Sequence, residues 1–269
     1  MGDAMVRLPR LLPSTFVGLV MVYLYAPIVV IVLFSITTSP RLSMPIEGLT
    51  LDWYANAFSN PLMTTALRNS LTLAFVSATV SGIFGAAFSF GLVALNSVRL
   101  RAVLLASSML PAIVPLLVIG ISLAVFFRAL GLPQGLLNSA IGHIIVSLPF
   151  VVLTMNARLE TFDFSTLEAA RDLGASPYQA FRDITFPLIR PSIVGAALLA
   201  AALSLDEFVV TWFNVGNQQT VPVLVWGLMR RGVDPSINAI ATILLLLLVG
   251  LVICSNIVSR KKPSDRTSS

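Results

Sequence analysis

The stretch Ser165–Pro187 lies between two long apolar segments and has the sequence STLEAARDLGASPYQAFRDITFP. Ser165 followed by Glu168 fits a capping box, which predicts a short helix that continues through Leu173. Gly174 fits the left-handed backbone position that commonly ends a helix. The first half of this stretch is therefore predicted to be a short helix closed by a glycine turn.

The second half of the stretch has its own start signal. Ser176 and Pro177 supply an N-cap and a first-turn proline for another short helix. The connection Asn156–Pro187 is therefore predicted to be a rigid pair of helices, since a simple linker would not need two sets of helix-ending signals. Such a connection can transmit force to a partner protein.

The composition around this connection is that of a membrane protein. Of the 269 residues, 57% are apolar and 11% are charged, and the mean hydropathy is +0.92. A soluble domain of this size normally carries about a quarter charged residues. Because the apolar segments run from end to end, residues 1–269 are expected to form a single transmembrane domain that is all-α.

Six segments are long and apolar enough to cross a bilayer, which takes about 20 residues. They are Thr15–Ile36, Thr64–Leu95, Ala102–Leu130, Gly135–Met155, Leu188–Phe213 and Ile237–Ser259. The second carries small residues every four positions, which favours close packing of a neighbouring helix; these are Ser77, Ser81, Gly85 and Ser89. Prolines are expected to kink or open three of the other segments, at Pro111, Pro115, Pro149 and Pro191.

The basic residues predict the orientation, because cytoplasmic loops are enriched in lysine and arginine. With both termini inside, twelve of the 17 basic residues are cytoplasmic: Arg7, Arg10, Arg99, Arg101, Arg158, Arg171, Arg182, Arg190, Arg260, Lys261, Lys262 and Arg266. The other five would be outside: Arg41, Arg68, Arg128, Arg230 and Arg231. The loop with Trp53 and Tyr54 is then external and suits an interfacial helix, and Val221–Arg231 is expected to be an interfacial or re-entrant helix.

The helix-pair connection resembles a known motif. Glu168-Ala169-Ala170, then Gly174, then Ile184 and Pro187 match the EAA motif of ABC importer permeases, with Phe186 in place of the usual leucine. The resemblance implies a type I ABC importer permease with a cytoplasmic coupling helix between spans four and five. It also implies that Glu168, Ala169, Ala170 and Gly174 dock on an ATPase subunit.

The resemblance extends along nearly the whole chain to permeases of the spermidine/putrescine importer subfamily. It is carried by Tyr23–Pro27, Trp53-Tyr54, Arg68-Asn69-Ser70, Leu148-Pro149-Phe150, Leu167–Ser176 and Val233–Leu244. It implies import of a small solute, a polyamine such as spermidine or putrescine, from periplasm to cytoplasm across the bacterial inner membrane. Because the subfamily includes importers of other small solutes, a different solute remains the alternative.

The chain itself lacks the residues of an ATP-driven motor. It has no G-x-x-x-x-G-K-[ST] motif, because no lysine precedes Lys261. By the resemblance, a dimer of ATP-binding subunits hydrolyses ATP with Mg, a second and homologous permease completes the path, and a periplasmic binding protein delivers substrate. No cofactor is expected on this chain and no bond in the substrate changes, so the chain is not an enzyme.

Asp206 and Glu207 are the candidate residues of the substrate path. They lie toward the outer end of the fifth predicted span, where a carboxylate costs about 2.5–3.5 kcal/mol unless it faces a cavity or a partner. Neighbours on a helix point about 100° apart, so one acid is expected to face the path and bind a cationic amine. Interfacial positions, or a pair with the second permease, are the alternative.

Other classes of function have less support. The scattered basic residues form no nucleic-acid stripe, and the only cysteine, Cys254, is expected to be packed or lipid-facing. The only histidine, His143, is expected to be a buried hydrogen-bonded residue, with a path-lining role as the alternative.

A secondary transporter or channel would predict repeats or several intramembrane charges, and neither is found. A membrane enzyme lacks any nucleophile–base or metal constellation.

Overall fold

The computed structural model describes residues 11–39, 46, 48–230 and 235–260. The predictions that rest on Arg7, Arg10, Arg41, Arg231 and the basic residues after Arg260 lie outside these ranges. They therefore stay predictions.

The described residues are helical almost throughout, as predicted. Thr37 and Leu49 form an isolated antiparallel bridge, and these ranges contain no β-strand. A π-helical turn, Phe181–Thr185, separates two of the helices. The α-helices are α1 Leu11–Phe34, α2 Asp52–Ser59, α3 Pro61–Val93, α4 Val98–Ser108, α5 Leu110–Ile113, α6 Leu116–Ala129, α7 Leu136–Glu160, α8 Ser165–Asp172, α9 Pro177–Ala180, α10 Phe186–Asp206, α11 Val209–Asn214, α12 Val221–Met229 and α13 Pro235–Arg260.

Within the described ranges, five helical segments are long and apolar enough to cross a membrane. They are Thr15–Phe34, Pro61–Val93, Leu136–Glu160, Pro177–Asp206 and Pro235–Val258. Each overlaps one of the predicted spans, so five of the six predictions are confirmed as membrane-length helices. The remaining predicted span, Ala102–Leu130, is an apolar segment that is divided into shorter helices.

That third predicted span is not one continuous helix. It is divided into α4, α5 and α6, and the clearest gap lies at Val114 and Pro115, whose ψ angles of 133° and 132° are extended. Proline cannot donate a backbone hydrogen bond, and it also disfavours the helical conformation in the residue before it. The expectation that the prolines kink or open this segment is therefore confirmed at Pro115.

The fifth predicted span, Leu188–Phe213, is also interrupted. Its helical segment begins earlier, at Pro177, and ends at Asp206; Glu207 is extended (φ −71°, ψ 107°) before α11 begins. Neither proline nor glycine is present at this interruption. The prediction of a continuous helix through both acids is wrong here, and the cause lies in tertiary contacts described below.

By contacts, the chain divides into two compact units: Met1–Asn60 with Gly227–Ile243, and Pro61–Trp226 with Leu244–Ser269. In the first unit, the indole Nε1 of Trp53 donates to the carbonyl of Thr37 (2.6 Å), and the hydroxyls of Tyr54 and Ser35 are 2.7 Å apart. These bonds hold α2 against the end of α1. The predicted short helix at Trp53 is confirmed, while its depth in the membrane and the single-domain boundary stay predictions.

The core of the second unit is formed by α3, α7 and α10. The predicted small-residue stripe of α3 is buried and faces α7: the hydroxyls of Ser77 and Ser81 lie 3.0 and 2.8 Å from that of Ser147. A Cβ atom at Gly85 would lie 2.6 Å from Val151, so only glycine permits this approach. The packing prediction for the stripe is therefore confirmed.

The connection after α7 contains the two predicted short helices. Gly174 has φ +91° and ends α8 as expected, and Ser176 caps α9 as expected, with Gln179 completing a capping box. The capping box predicted at Ser165 and Glu168 is wrong. α8 begins instead with the Asp163 carboxylate accepting from the Ser165 N–H (3.0 Å), and hydrogen bonds from Ser165 lower the pKa of Asp163.

Candidate functional site: a cavity between two interrupted helices

A cavity of about 320 Å³ lies within the second unit where both helix interruptions meet. Its walls come from the α5–α6 gap, from the middle of α7, and from the α10–α11 gap. The lining residues are Pro111, Ala112, Val114, Leu116, Val146, Phe150, Leu203, Asp206, Glu207, Phe208 and Val209. Non-helical backbone at membrane depth occurs where it lines a cavity or is buried in protein, so this arrangement accounts for both interruptions.

Asp206 is the last residue of α10, and its side chain is exposed at this cavity. Among the residues that the structure describes, it has no hydrogen-bond or ion-pair partner. The C-terminal end of a helix also carries a partial negative charge, equivalent to about half an elementary charge. The wall of the cavity at Asp206 is therefore electronegative and suited to a cation.

Glu207 has a different environment from its neighbour. It is 8% exposed, and its Oε1 accepts a hydrogen bond from the backbone N–H of Val210 (2.8 Å). That N–H belongs to the first turn of α11, where helical donors have no partner within the helix. Glu207 thus caps α11, so the two acids are inequivalent, as the sequence predicted.

His143 of α7 is 2% exposed and contacts both sides of the α10–α11 interruption. Its Nδ1 lies 2.6 Å from the Ser204 hydroxyl, and its Nε2 lies 2.6 Å from the Thr211 hydroxyl. The Thr211 hydroxyl in turn donates to the carbonyl of Glu207 (2.9 Å). The expectation of a buried, hydrogen-bonded histidine is therefore confirmed.

A second candidate surface lies on α8 and α9. Of the four residues expected to dock, Glu168, Ala169 and Gly174 are exposed and Ala170 is partly exposed. Two large side chains on the same segment are also exposed: Leu173 at 90% and Tyr178 at 69%. Both side chains are therefore available to contact a partner protein.

Sequence reasoning missed part of both sites. Val114 and Phe208 line the cavity, but nothing in the local sequence distinguishes them from other apolar residues. Pro111 and Pro115 were the sequence signal for the wall of the cavity that contains Val114. Leu173 and Tyr178 could have been recognised as candidate contact residues, because both are large side chains close to Gly174 in a mostly polar stretch.

Membrane-length helices, together with interrupted helices that enclose a cavity, define a membrane transport protein. The comparisons identify its family. Residues 78–261 match the model of the "Binding-protein-dependent transport system inner membrane component" family. The chain belongs to this family and is therefore the membrane component of such a transporter.

Two curated relatives are similar over most of their length. The chain is 37% identical to the spermidine/putrescine transport system permease protein PotC of Escherichia coli K12, over 96% of this chain and 97% of PotC. It is 35% identical to the putrescine transport system permease protein PotI of the same organism, over 83% of this chain and 82% of PotI. Both relatives are permease proteins of transport systems, as their names state.

A solved structure shows the same fold. A chain of a bacterial alginate ABC transporter, crystallised in complex with an alginate pentasaccharide-bound periplasmic protein, matches with a TM-score of 0.67. The match covers 93% of this chain and 94% of that chain at 16% identity. This likeness confirms the type I ABC importer permease fold.

Proposed function

We propose that this permease moves a polyamine such as spermidine or putrescine from the periplasm to the cytoplasm. The relatives named above are permeases of spermidine/putrescine and putrescine systems, which supports this substrate class. The structural observation that carries the proposal is Asp206, a carboxylate with no partner among the described residues, at a cavity formed by two interrupted helices. A polyamine loses hydration when it enters such a path, and a negative partner offsets part of that cost.

The two acids have different roles in this proposal. Asp206 binds an ammonium group of the substrate, because its carboxylate is exposed at the cavity. Glu207 shapes the path, because its carboxylate is already engaged as the cap of α11. The apolar lining from Val114, Phe150 and Phe208 suits the methylene groups between the charges of a polyamine.

The transporter contains further subunits in this proposal. A second, homologous permease completes the path, a dimer of ATP-binding subunits hydrolyses ATP with Mg, and a periplasmic binding protein delivers the substrate. The family name and the alginate transporter solved with its periplasmic protein support this assembly. This chain holds no cofactor of its own.

The α8–α9 segment is the proposed docking surface for the ATPase. Glu168, Ala169, Ala170 and Gly174 form its backbone platform, and Leu173 supplies an exposed apolar side chain for a groove on the partner. Closure of the ATPase dimer would move this segment. Because α9 and the π-helical turn lead directly into α10, that movement reaches the helix that ends at Asp206.

This scheme requires that α8 and α9 face the cytoplasm and that both termini are inside, in the bacterial inner membrane. The twelve-to-five distribution of basic residues supports that orientation. Reporter fusions after Arg101 and Arg260 are expected to report cytoplasm, and a fusion near Glu47 is expected to report periplasm. A cytoplasmic signal at Glu47 would contradict the orientation.

The substrate is tested by uptake of labelled spermidine, putrescine and uncharged small solutes in membranes with matched transporter levels. Asp206→Asn removes the charge at nearly constant size, and we expect polyamine uptake to fall at least about tenfold, which corresponds to about 1.4 kcal/mol. Glu207→Gln is the matched control, because the amide oxygen still accepts from the N–H of Val210. This variant should lose less polyamine uptake than Asp206→Asn. Normal polyamine uptake by Asp206→Asn would refute the proposed binding role of Asp206, and a preference of the wild-type transporter for an uncharged solute would refute the polyamine proposal.

A further inference from the structure

His143 is the buried titratable group nearest the cavity that the proposed function does not use. We propose that it is a positioning residue, whose imidazole braces the α10–α11 interruption and so determines how Asp206 is presented to the cavity. The brace is defined by its contacts with Ser204 and Thr211, both at 2.6 Å. Its meaning for transport rests on the proposed role of Asp206, whereas its structural effect can be tested separately.

The hydrogen-bond network assigns the imidazole tautomer. The Thr211 hydroxyl has one hydrogen, and it donates that hydrogen to the carbonyl of Glu207 (2.9 Å). Toward His143, Thr211 can therefore only accept, so the proton of the neutral ring is on Nε2. Nδ1 then accepts from the Ser204 hydroxyl, and both ring nitrogens have a partner.

The brace spans the interruption along the chain. Ser204 lies in α10, two residues before Asp206, and Thr211 lies in α11, after the extended Glu207. Both hydroxyl residues are buried, at 4% and 0% exposure, so water cannot replace the histidine at either point. Because α7 supplies the ring to both helix ends, the angle between α10 and α11 depends on this side chain.

Another buried polar contact of α7 provides a matched comparison. Ser147 lies one helical turn after His143 and is 1% exposed. Its hydroxyl contacts Ser77 and Ser81 of α3 and none of the residues at the interruption. Substitution of Ser147 by alanine therefore removes these contacts between α7 and α3 but leaves the contacts of His143 with Ser204 and Thr211 in place.

Cysteine reactivity at position 206 measures the brace directly. Cys254, the only cysteine, is changed to serine, and Asp206→Cys then provides a single reactive thiol in the assembled transporter. The rate of labelling with a small cationic methanethiosulfonate reagent is compared in three backgrounds: His143→Leu, His143→Gln and Ser147→Ala. Leucine removes both hydrogen bonds, whereas the glutamine amide can still donate one and accept one.

We expect His143→Leu to change the labelling rate at least about fivefold, the scale for loss of one buried hydrogen bond. His143→Gln is expected to restore most of the original rate, and Ser147→Ala to leave it unchanged. An unchanged rate in His143→Leu, or an equal change in Ser147→Ala, would overturn the proposal. If His143→Leu does not accumulate, Thr211→Val removes the Nε2 partner and is judged by the same criterion.

Uptake then links the brace to transport. His143→Leu is expected to lower polyamine uptake in the wild-type background and to add no further loss to Asp206→Asn. If the double variant lost uptake by the product of the two single effects, His143 would not act through Asp206. That result would overturn the proposed link between the brace and transport. Normal uptake by Asp206→Asn alone refutes the proposed binding role of Asp206, while the labelling rates still decide whether His143 braces the interruption.

Discussion

The chain interrupts its helices in two very different ways, at Gly174 and at Glu207. The turn at Gly174 is exposed, uses a positive φ, and is flanked by caps from nearby side chains. The interruption at Glu207 is buried and extended, contains no glycine, and depends on His143, a residue distant in sequence. The first turn is therefore determined locally, whereas the second is determined by tertiary contacts.

The difference matches the proposed tasks of the two regions. A locally capped segment keeps its shape while it exposes Leu173 and Tyr178 to a partner subunit. A buried interruption must satisfy each polar group that the helix leaves open, because water is excluded. The Glu207 carboxylate accepts from the N–H of Val210 and the Thr211 hydroxyl donates to the carbonyl of Glu207, while the carboxylate of Asp206 stays exposed at the cavity.

The largest effect of a single substitution is expected in the exposed segment around Gly174. Leu173→Ser removes an apolar side chain that we propose is buried against the ATPase, where a leucine contributes about 1.5–3 kcal/mol. Association with the ATPase should weaken about 10- to 100-fold, while the thermal stability of the permease stays unchanged. Co-purification and titration of the two subunits measure the effect.

The control for this prediction is Val98→Ser, which removes another exposed apolar side chain, 81% exposed, at the start of α4. It should leave ATPase association intact. Equal loss in both variants would mean that Leu173 has no special role in docking.

The next effect concerns the buried interruption. Glu207→Ala removes the acceptor for the N–H of Val210 and leaves that donor without a partner, which costs about 1–3 kcal/mol. We expect a lower midpoint of thermal unfolding for the purified transporter. Glu207→Gln keeps an acceptor oxygen and should recover most of the loss; identical midpoints for the alanine and wild-type proteins would show that the carboxylate is not a cap.

The smallest effect is expected at the glycine turn. A Cβ atom at Gly174 has no neighbour within 4 Å, so a substitution strains only the backbone. Gly174→Val should destabilise the turn by about 1–2 kcal/mol, the cost of a left-handed backbone for a residue with a Cβ atom, and weaken ATPase association without changing membrane insertion. Gly174→Asn is the control, because asparagine tolerates positive φ; normal ATPase association in Gly174→Val would argue against a docking turn of fixed shape.

Much of the fold was predictable because its signals are local or periodic. Five membrane-length helices follow from apolar length, the α3 stripe follows from small residues every four positions, and Gly174 and Ser176 mark their own turns. The start of α8 was mispredicted because the Asp163 carboxylate competes with Ser165 for the capping role. Two capping signals within three residues cannot be ranked from sequence alone.

The candidate site was predictable only in part. An acid pair in an apolar segment pointed to Asp206 and Glu207, and helix geometry predicted that they differ. Their separate environments depend on the extended conformation of Glu207, and that conformation depends on His143 and Thr211. None of these contacts has a local sequence signal.

The sequence by itself determined that this chain is a helical membrane permease, because span length, charge bias and the spaced Glu-Ala-Ala and glycine positions are local properties of the chain. Only the tertiary structure decided that the α5–α6 and α10–α11 interruptions line one cavity, and that Asp206 is exposed there while Glu207 is buried and accepts a hydrogen bond from Val210. The physical reason is that both features depend on contacts between distant parts of the chain. Residues from segments 111–116, 146–150 and 203–209 together line the cavity, and His143 lies 61 residues before Ser204 and 68 before Thr211, so these groups become neighbours only when the chain folds.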